Sequence, residues 1–142
     1  MKKLVRVPFL VTGSVMGLVC FSFAAVSQDR LREGLALMNE GKTEAALTVL
    51  RQAVATDPSD PAGHTALGTA SLQAQQFDQA QRSLERAVTL DPKSQTALYS
   101  LALLYEKQKR YPEARRSWEK FLALAPSAES AELARRHLER LP

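Results

Sequence analysis

One fixed spacing runs through most of this chain and limits what it can fold into. Asp57-Pro58, Asp91-Pro92 and Ala125-Pro126 follow one another at steps of 34. Gly34, Gly68 and Ala102 repeat at the same step, as do Ala46, Ala80 and Ala114, and Leu50, Leu84 and Trp118. Four series in one register point to stacked supersecondary units, each burying its apolar face only against its neighbours. With 45% hydrophobic and 24% charged residues the chain has the composition of a folded protein.

Each unit reads as two helices. Asp60 is placed to cap a helix whose first position is Pro61, where a missing N–H costs nothing. Ala66, Leu67, Ala70 and Ala74 then recur at helical spacing. A second helix is expected from Asp78, with Ala80, Leu84, Ala87 and Val88 on its inner stripe, and it ends at Asp91-Pro92. The first unit starts near Gln28, turns at Gly41-Lys42 and resumes from Thr43 to Thr56. The third spans Gln95 to Lys107, turns through Lys109-Arg110 and resumes from Pro112 to Leu124. Gly34, Gly68 and Ala102 are expected to face the alanines of the partner helix, so that the two backbones approach closely.

The spaced residues resemble the tetratricopeptide repeat family, whose pattern is W-x2-L-G-x2-Y, A-x3-F, A, P. The second unit carries His64, Leu67, Gly68, Ser71, Ala80, Leu84, Ala87 and Pro92 at those positions. The third carries Leu98, Leu101, Ala102, Tyr105, Ala114, Trp118, Phe121 and Pro126. The first has Arg30, Glu33, Gly34, Leu37, Ala46, Leu50, Ala53 and Pro58, with Arg30 and Glu33 polar where the family is apolar, as suits a terminal unit. The resemblance implies an all-α superhelix of three antiparallel helix pairs over about 28–60, 61–94 and 95–126. Phe121, where the family pattern is small, implies a further neighbour, and 127–142 reads as a capping helix started by Ser127.

The leading segment, 1–27, reads differently. Lys2, Lys3 and Arg6 precede a charge-free stretch from Val7 to Val26, followed by two small-x-small sites, Ser22-Phe23-Ala24 and Ala25-Val26-Ser27. This is the grammar of an export signal. A cleaved signal and a retained anchor through 7–26 both fit it. The anchor reaches the length of a membrane span only by including Pro8, Gly13 and Gly17. Lipoprotein processing at Cys20 does not suit the preceding Gly17-Leu18-Val19. The expected location is exported, in the periplasm or on the outer face of the cytoplasmic membrane. The formal charge of +4 owes three units to this segment, and the remaining 16 basic and 15 acidic residues nearly balance. Glutamates Glu106, Glu113 and Glu119 are threaded among Lys107, Lys109, Arg110, Arg115, Arg116 and Lys120, so nucleic acid is not an expected partner.

No nucleophile, base and orienting group share a recognisable motif, and no phosphate loop or metal-ligand spacing is present. Neither catalysis nor a cofactor is expected. His64 is read as packing between helices and His137 as a part-exposed side chain on the capping helix. The resemblance instead implies a concave face that holds a segment of another protein. Its lining would be Leu31, Leu35, Met38 and Asn39, then Thr65, Thr69, Leu72 and Gln73, then Thr96, Tyr99, Leu103, Glu106 and Lys107. The family's carboxylate clamp needs lysine, arginine and asparagine where this chain has Leu31, Leu35, Ala66, Thr96 and Ser100, so that mode is not expected. The functional expectation is a non-catalytic scaffold of the cell envelope that binds an apolar helix or strand, self-association included. A membrane-anchored subunit of a larger envelope, secretion or pilus assembly is the second reading. The intact mass of the protein from its own cells separates the two: a start at Ala25 or Gln28 means a cleaved signal, and an uncut N-terminus an anchor.

Overall fold

The computed structural model describes the backbone of residues 15–124 and 127–142, with side chains from residue 24 onward. The basic start of the leader, its apolar stretch up to residue 14, the Cys20 side chain and the Ala125-Pro126 step lie outside the described residues. Within them the chain forms seven helices: α1 (Val15–Asn39), α2 (Thr43–Thr56), α3 (Pro61–Gln73), α4 (Phe77–Leu90), α5 (Gln95–Lys107), α6 (Tyr111–Ala123) and α7 (Ala128–Arg140). Helices pair as α1 with α2, α3 with α4 and α5 with α6, and each pair stacks on the next. The first helices of successive pairs also touch, α1 against α3 and α3 against α5. Among the described residues no helix is long and apolar enough to cross a membrane.

Two kinds of joint punctuate the array. Within a pair, the chain turns through Gly41, Gln75 and Lys109, which keep the period of the repeat and all have positive φ (74°, 58° and 58°). The amide after each donates back five residues: Lys42 to Leu37 O (2.9 Å), Gln76 to Ser71 O (2.8 Å) and Arg110 to Tyr105 O (2.8 Å). This is the left-handed stop that satisfies the last carbonyls of a helix. Between pairs, the Asp-Pro steps end the second helix. Asp57 accepts from the Ser59 hydroxyl (2.6 Å) and amide (3.1 Å), and Asp91 from the Lys93 amide (3.0 Å). The Ser59 hydroxyl holds the Asp57 carboxyl below its ordinary range. The next helix is then capped: Asp60 accepts from Ala62 N and Gly63 N, Ser94 from Ala97 N, and Ser127 from Ser130 N.

Several boundaries and contacts differ from the sequence reading. Helix α1 begins at Val15 rather than near Gln28, because no proline or glycine between positions 18 and 33 stops it. Helices α4 and α6 start one residue earlier than expected, at Phe77 and Tyr111, and α6 ends at Ala123. The small residues of the first helices face the leucines of their partners rather than the alanines. A methyl placed on Gly34 would lie 2.5 Å from Leu50 Cδ2, and one on Gly68 would lie 2.5 Å from Leu84 Cγ and 3.2 Å from the Leu84 amide. Leu50 and Leu84 are both fully buried, so neither has room to yield. Ala102 shares a core cluster with Trp118 in the third pair.

Three apolar clusters follow one another along the stack. Leu31, Leu47, Leu50 and Leu67 join α1, α2 and α3; Leu72, Leu84, Leu101 and Leu104 join α3, α4 and α5; Leu98, Trp118, Phe121 and Ala134 join α5, α6 and α7. At the last, fully buried Trp118 meets Tyr99 and Phe121 edge-on, with centroids at 5.4 and 5.9 Å, and stacks on His137 at 4.6 Å. The Glu106 carboxylate accepts from Trp118 Nε1–H and from His137 Nδ1–H. Phe121 thus finds the neighbour that its size implied, and α7 is fastened to the array by stacking and by charge-assisted hydrogen bonds.

Gly68→Ala should therefore destabilise by about 1–3 kcal/mol through overpacking, despite alanine's better helix propensity. Gly41→Ala meets open space and should cost about 1 kcal/mol from its positive φ alone. Denaturant unfolding of both variants checks the order. Ala134 is fully buried on the inner face of α7, and Trp118 is the sole tryptophan. Ala134→Asp should undock the helix and shift tryptophan emission to the red while far-UV circular dichroism stays largely helical.

Candidate functional site

The stacking of α1, α3 and α5 leaves one apolar cleft where the three first helices meet. It is about 340 Å³ in volume, within the range of about 300–1,000 Å³ typical of ligand clefts. Helix α1 contributes Leu31, Leu35 and Met38 at helical spacing. Helix α3 contributes Pro61, Ala62, Thr65, Ala66 and Thr69, and the α4–α5 joint adds Asp91 and Ser94 before Thr96 of α5. Leu31, Thr65 and Ala66 form a buried floor, whereas Leu35 keeps 43% of its surface exposed. A leucine that open beside a concave floor is the feature a docking segment would cover.

The polar groups around this cleft are largely committed. Thr65 Oγ1 donates to Pro61 O (2.8 Å) and Thr69 Oγ1 to Thr65 O (2.9 Å), with Ser100 Oγ 3.2 Å from the Thr69 hydroxyl. Among the described residues no lysine, arginine or histidine lines the cleft, and the one ionisable side chain there is Asp91. Leu31, Leu35, Ala66 and Thr96, four of the positions where a carboxylate clamp would need cations or an amide, are instead neutral walls of this space.

Of the expected lining, Leu31, Leu35, Met38, Thr65, Thr69 and Thr96 are brought together. The others are not. Leu72 is only 9% exposed and belongs to the core with Leu101 and Leu104, because α5 leans over that end of α3. Leu103 is half-buried against the same core. Asn39, Gln73 and Lys107 are exposed last residues of their helices and do not line the cleft. Tyr99 lines a separate, shallower cleft with Gln95, Thr96, Phe121 and Ser130, and Glu106 turns to Trp118 and His137. Pro61, Ala62, Ala66, Asp91 and Ser94 were missed. Ala66 was read as part of its helix's apolar stripe; the other four belong to the joints that lead into α3 and α5, and a helix-face reading passes over joints.

The other candidate groups have structural partners. His64 is part-buried, and its Nε2 lies 3.0 Å from Pro58 O and ties the α2–α3 joint to α3. Within the basic cluster, Arg110 pairs with Glu113 at 2.8 Å, lies 4.7 Å over the Tyr105 ring and donates to Gln81. This pairing raises the Arg110 pKa and lowers that of Glu113. Arg115 donates to Leu141 O (3.3 Å) beyond the end of α7. Tyr105 is buried and donates to Glu85 (2.9 Å), and burial followed by that hydrogen bond pushes its pKa up to about 12.

Models of the tetratricopeptide repeat match residues 37–88 and 65–129, and the chain belongs to the tetratricopeptide repeat family. No curated protein matches it in sequence. Solved structures with the same fold include the Arabidopsis OM64 TPR domain, at 21% identity and a TM-score of 0.77, covering 83% of this chain and 98% of that one. The second TPR domain of human RPAP3, in complex with the HSP70 peptide SGPTIEEVD, has 22% identity and a TM-score of 0.72, covering 84% and 98%. The Yersinia enterocolitica type III secretion translocator chaperone SycD has 22% identity and a TM-score of 0.73, covering 81% and 90%.

The tyrosine geometry is open to direct titration. Tyr105 should ionise near pH 12 in an absorbance titration at 295 nm. Because its folded pKa is raised, its contribution to stability is complete below pH 10 and is lost as the pH climbs towards 12. Tyr105→Phe should flatten the stability profile across that window.

Proposed function

We propose that this chain is a non-catalytic protein-interaction scaffold of the cell envelope, and that it holds a segment of a partner protein in the α1–α3–α5 cleft. The observation that carries the reading is half-exposed Leu35 above a floor built from Leu31, Thr65 and Ala66. Family membership supports it, and so does the peptide bound to the RPAP3 domain of the same fold. The family's familiar choice of an acidic chain end is not carried over, since among the described residues no cation lines the cleft.

The envelope setting is supported by the leader: its basic start, charge-free stretch and two small-x-small sites. Retention of that leader would make the chain a membrane-anchored subunit of a larger assembly. The continuity of α1 from Val15 into the first pair favours this second reading, because one helix then joins leader and repeats.

Leu35→Glu tests the cleft without touching the core, since Leu35 is exposed and its neighbours Leu31 and Met38 remain. Crosslinked pull-downs from envelope extracts should lose their principal partner, with circular dichroism and melting temperature unchanged. An undiminished partner set on a folded variant would falsify the cleft as the binding site.

A further inference from the structure

The cleft carries charge of one sign only. Among the described residues Asp91 is its single ionisable side chain, and one of its carboxylate oxygens is held by the Lys93 amide at 3.0 Å. Two helix N-termini open on the same space, and such ends ordinarily attract anions. Here the first is answered and the second in part. Pro61 has no N–H, Ala62 and Gly63 donate to Asp60 at 2.9 and 3.2 Å, and Ala97 donates to Ser94 Oγ at 3.3 Å. The Thr65 and Thr69 hydroxyl protons point to carbonyls of their own helix. An incoming carboxylate would find no cation among the described lining residues and would sit near Asp91, giving up its hydration beside a like charge. A lysine or arginine would meet a carboxylate, and the apolar wall of Leu31, Leu35 and Met38 would take aliphatic side chains beside it.

We propose that the cleft selects an internal segment of a partner protein that presents two apolar side chains and one lysine or arginine to Asp91, and that it discriminates against a free chain terminus. This rests on the reading of the α1–α3–α5 cleft as the docking site. The occupant is defined by charge complementarity, so a neutral segment, an acidic segment and a free C-terminus become outcomes of the test.

The experiment pans the full chain against random dodecapeptide segments held inside a carrier loop, so that neither end of the segment is free. Enriched segments are expected to combine two apolar residues within about one helical turn with at least one lysine or arginine. The best of them, synthesised with both ends blocked, should bind Asp91→Asn about 2–5-fold more weakly at low salt, as expected for a part-exposed ion pair. Asparagine can still accept from the Lys93 amide, so the joint stays intact. Replacing the peptide's basic residue by glutamine should abolish the difference between wild type and Asp91→Asn. Neutral or acidic enriched segments, or a peptide that binds at least as tightly with a free carboxylate end, would overturn the proposed selectivity. If Leu35→Glu still blocked those peptides, the cleft would survive as the docking site. Failure to enrich any segment, or binding that Leu35→Glu leaves unchanged, would overturn both.

Discussion

The array depends on how closely two helices of a pair can approach. At Gly34 and Gly68 the first helix presents bare backbone to a fully buried leucine of the second. That contact fixes the spacing within each pair, and hence the surface that the pair offers to the next. In the third pair Ala102 takes the glycine's place and Trp118 the leucine's. The larger ring meets Phe121 on its own helix and reaches beyond its pair to His137, and it becomes the anchor for α7. One substitution series, leucine to leucine to tryptophan, thus converts a repeating contact into a terminating one.

Much of this was legible in the sequence because repeat proteins write their packing at a fixed period. The bounds of α2 and α5 follow from their turn residues, since proline and capping side chains act within one or two residues of where they stand. The partner of the glycines was not legible. Ala46 and Leu50 lie four residues apart on one helix face, and periodicity alone does not say which of them a neighbouring glycine meets. The start of α1 was also hidden, because an apolar leader and a repeat helix can be continuous when nothing between them breaks a helix.

The cleft shows where such reading stops. Leu31, Leu35, Thr65 and Thr69 share a face with the open groove, so helical spacing finds them. Leu72 lies seven residues after Thr65 and therefore on the same face, yet α5 covers that end of α3. Which part of a face stays open depends on the angle between neighbouring units, which no single unit encodes. Asp91 was read as a helix stop and fills that role through the Lys93 amide, but the same joint also brings its carboxylate to the rim of the cleft.

The cleft also draws its walls from all three helix pairs, whereas the buried residues of each apolar cluster join one pair only to its neighbour. In the unoccupied chain, cooperativity passes from neighbour to neighbour, and an array of this kind frays from its ends. Any segment seated against α1, α3 and the start of α5 would add a coupling that spans all three pairs at once. Occupancy would then be felt as rigidity along the whole superhelix, so that the state of the binding face is communicated to the distant α7 end without any change of shape.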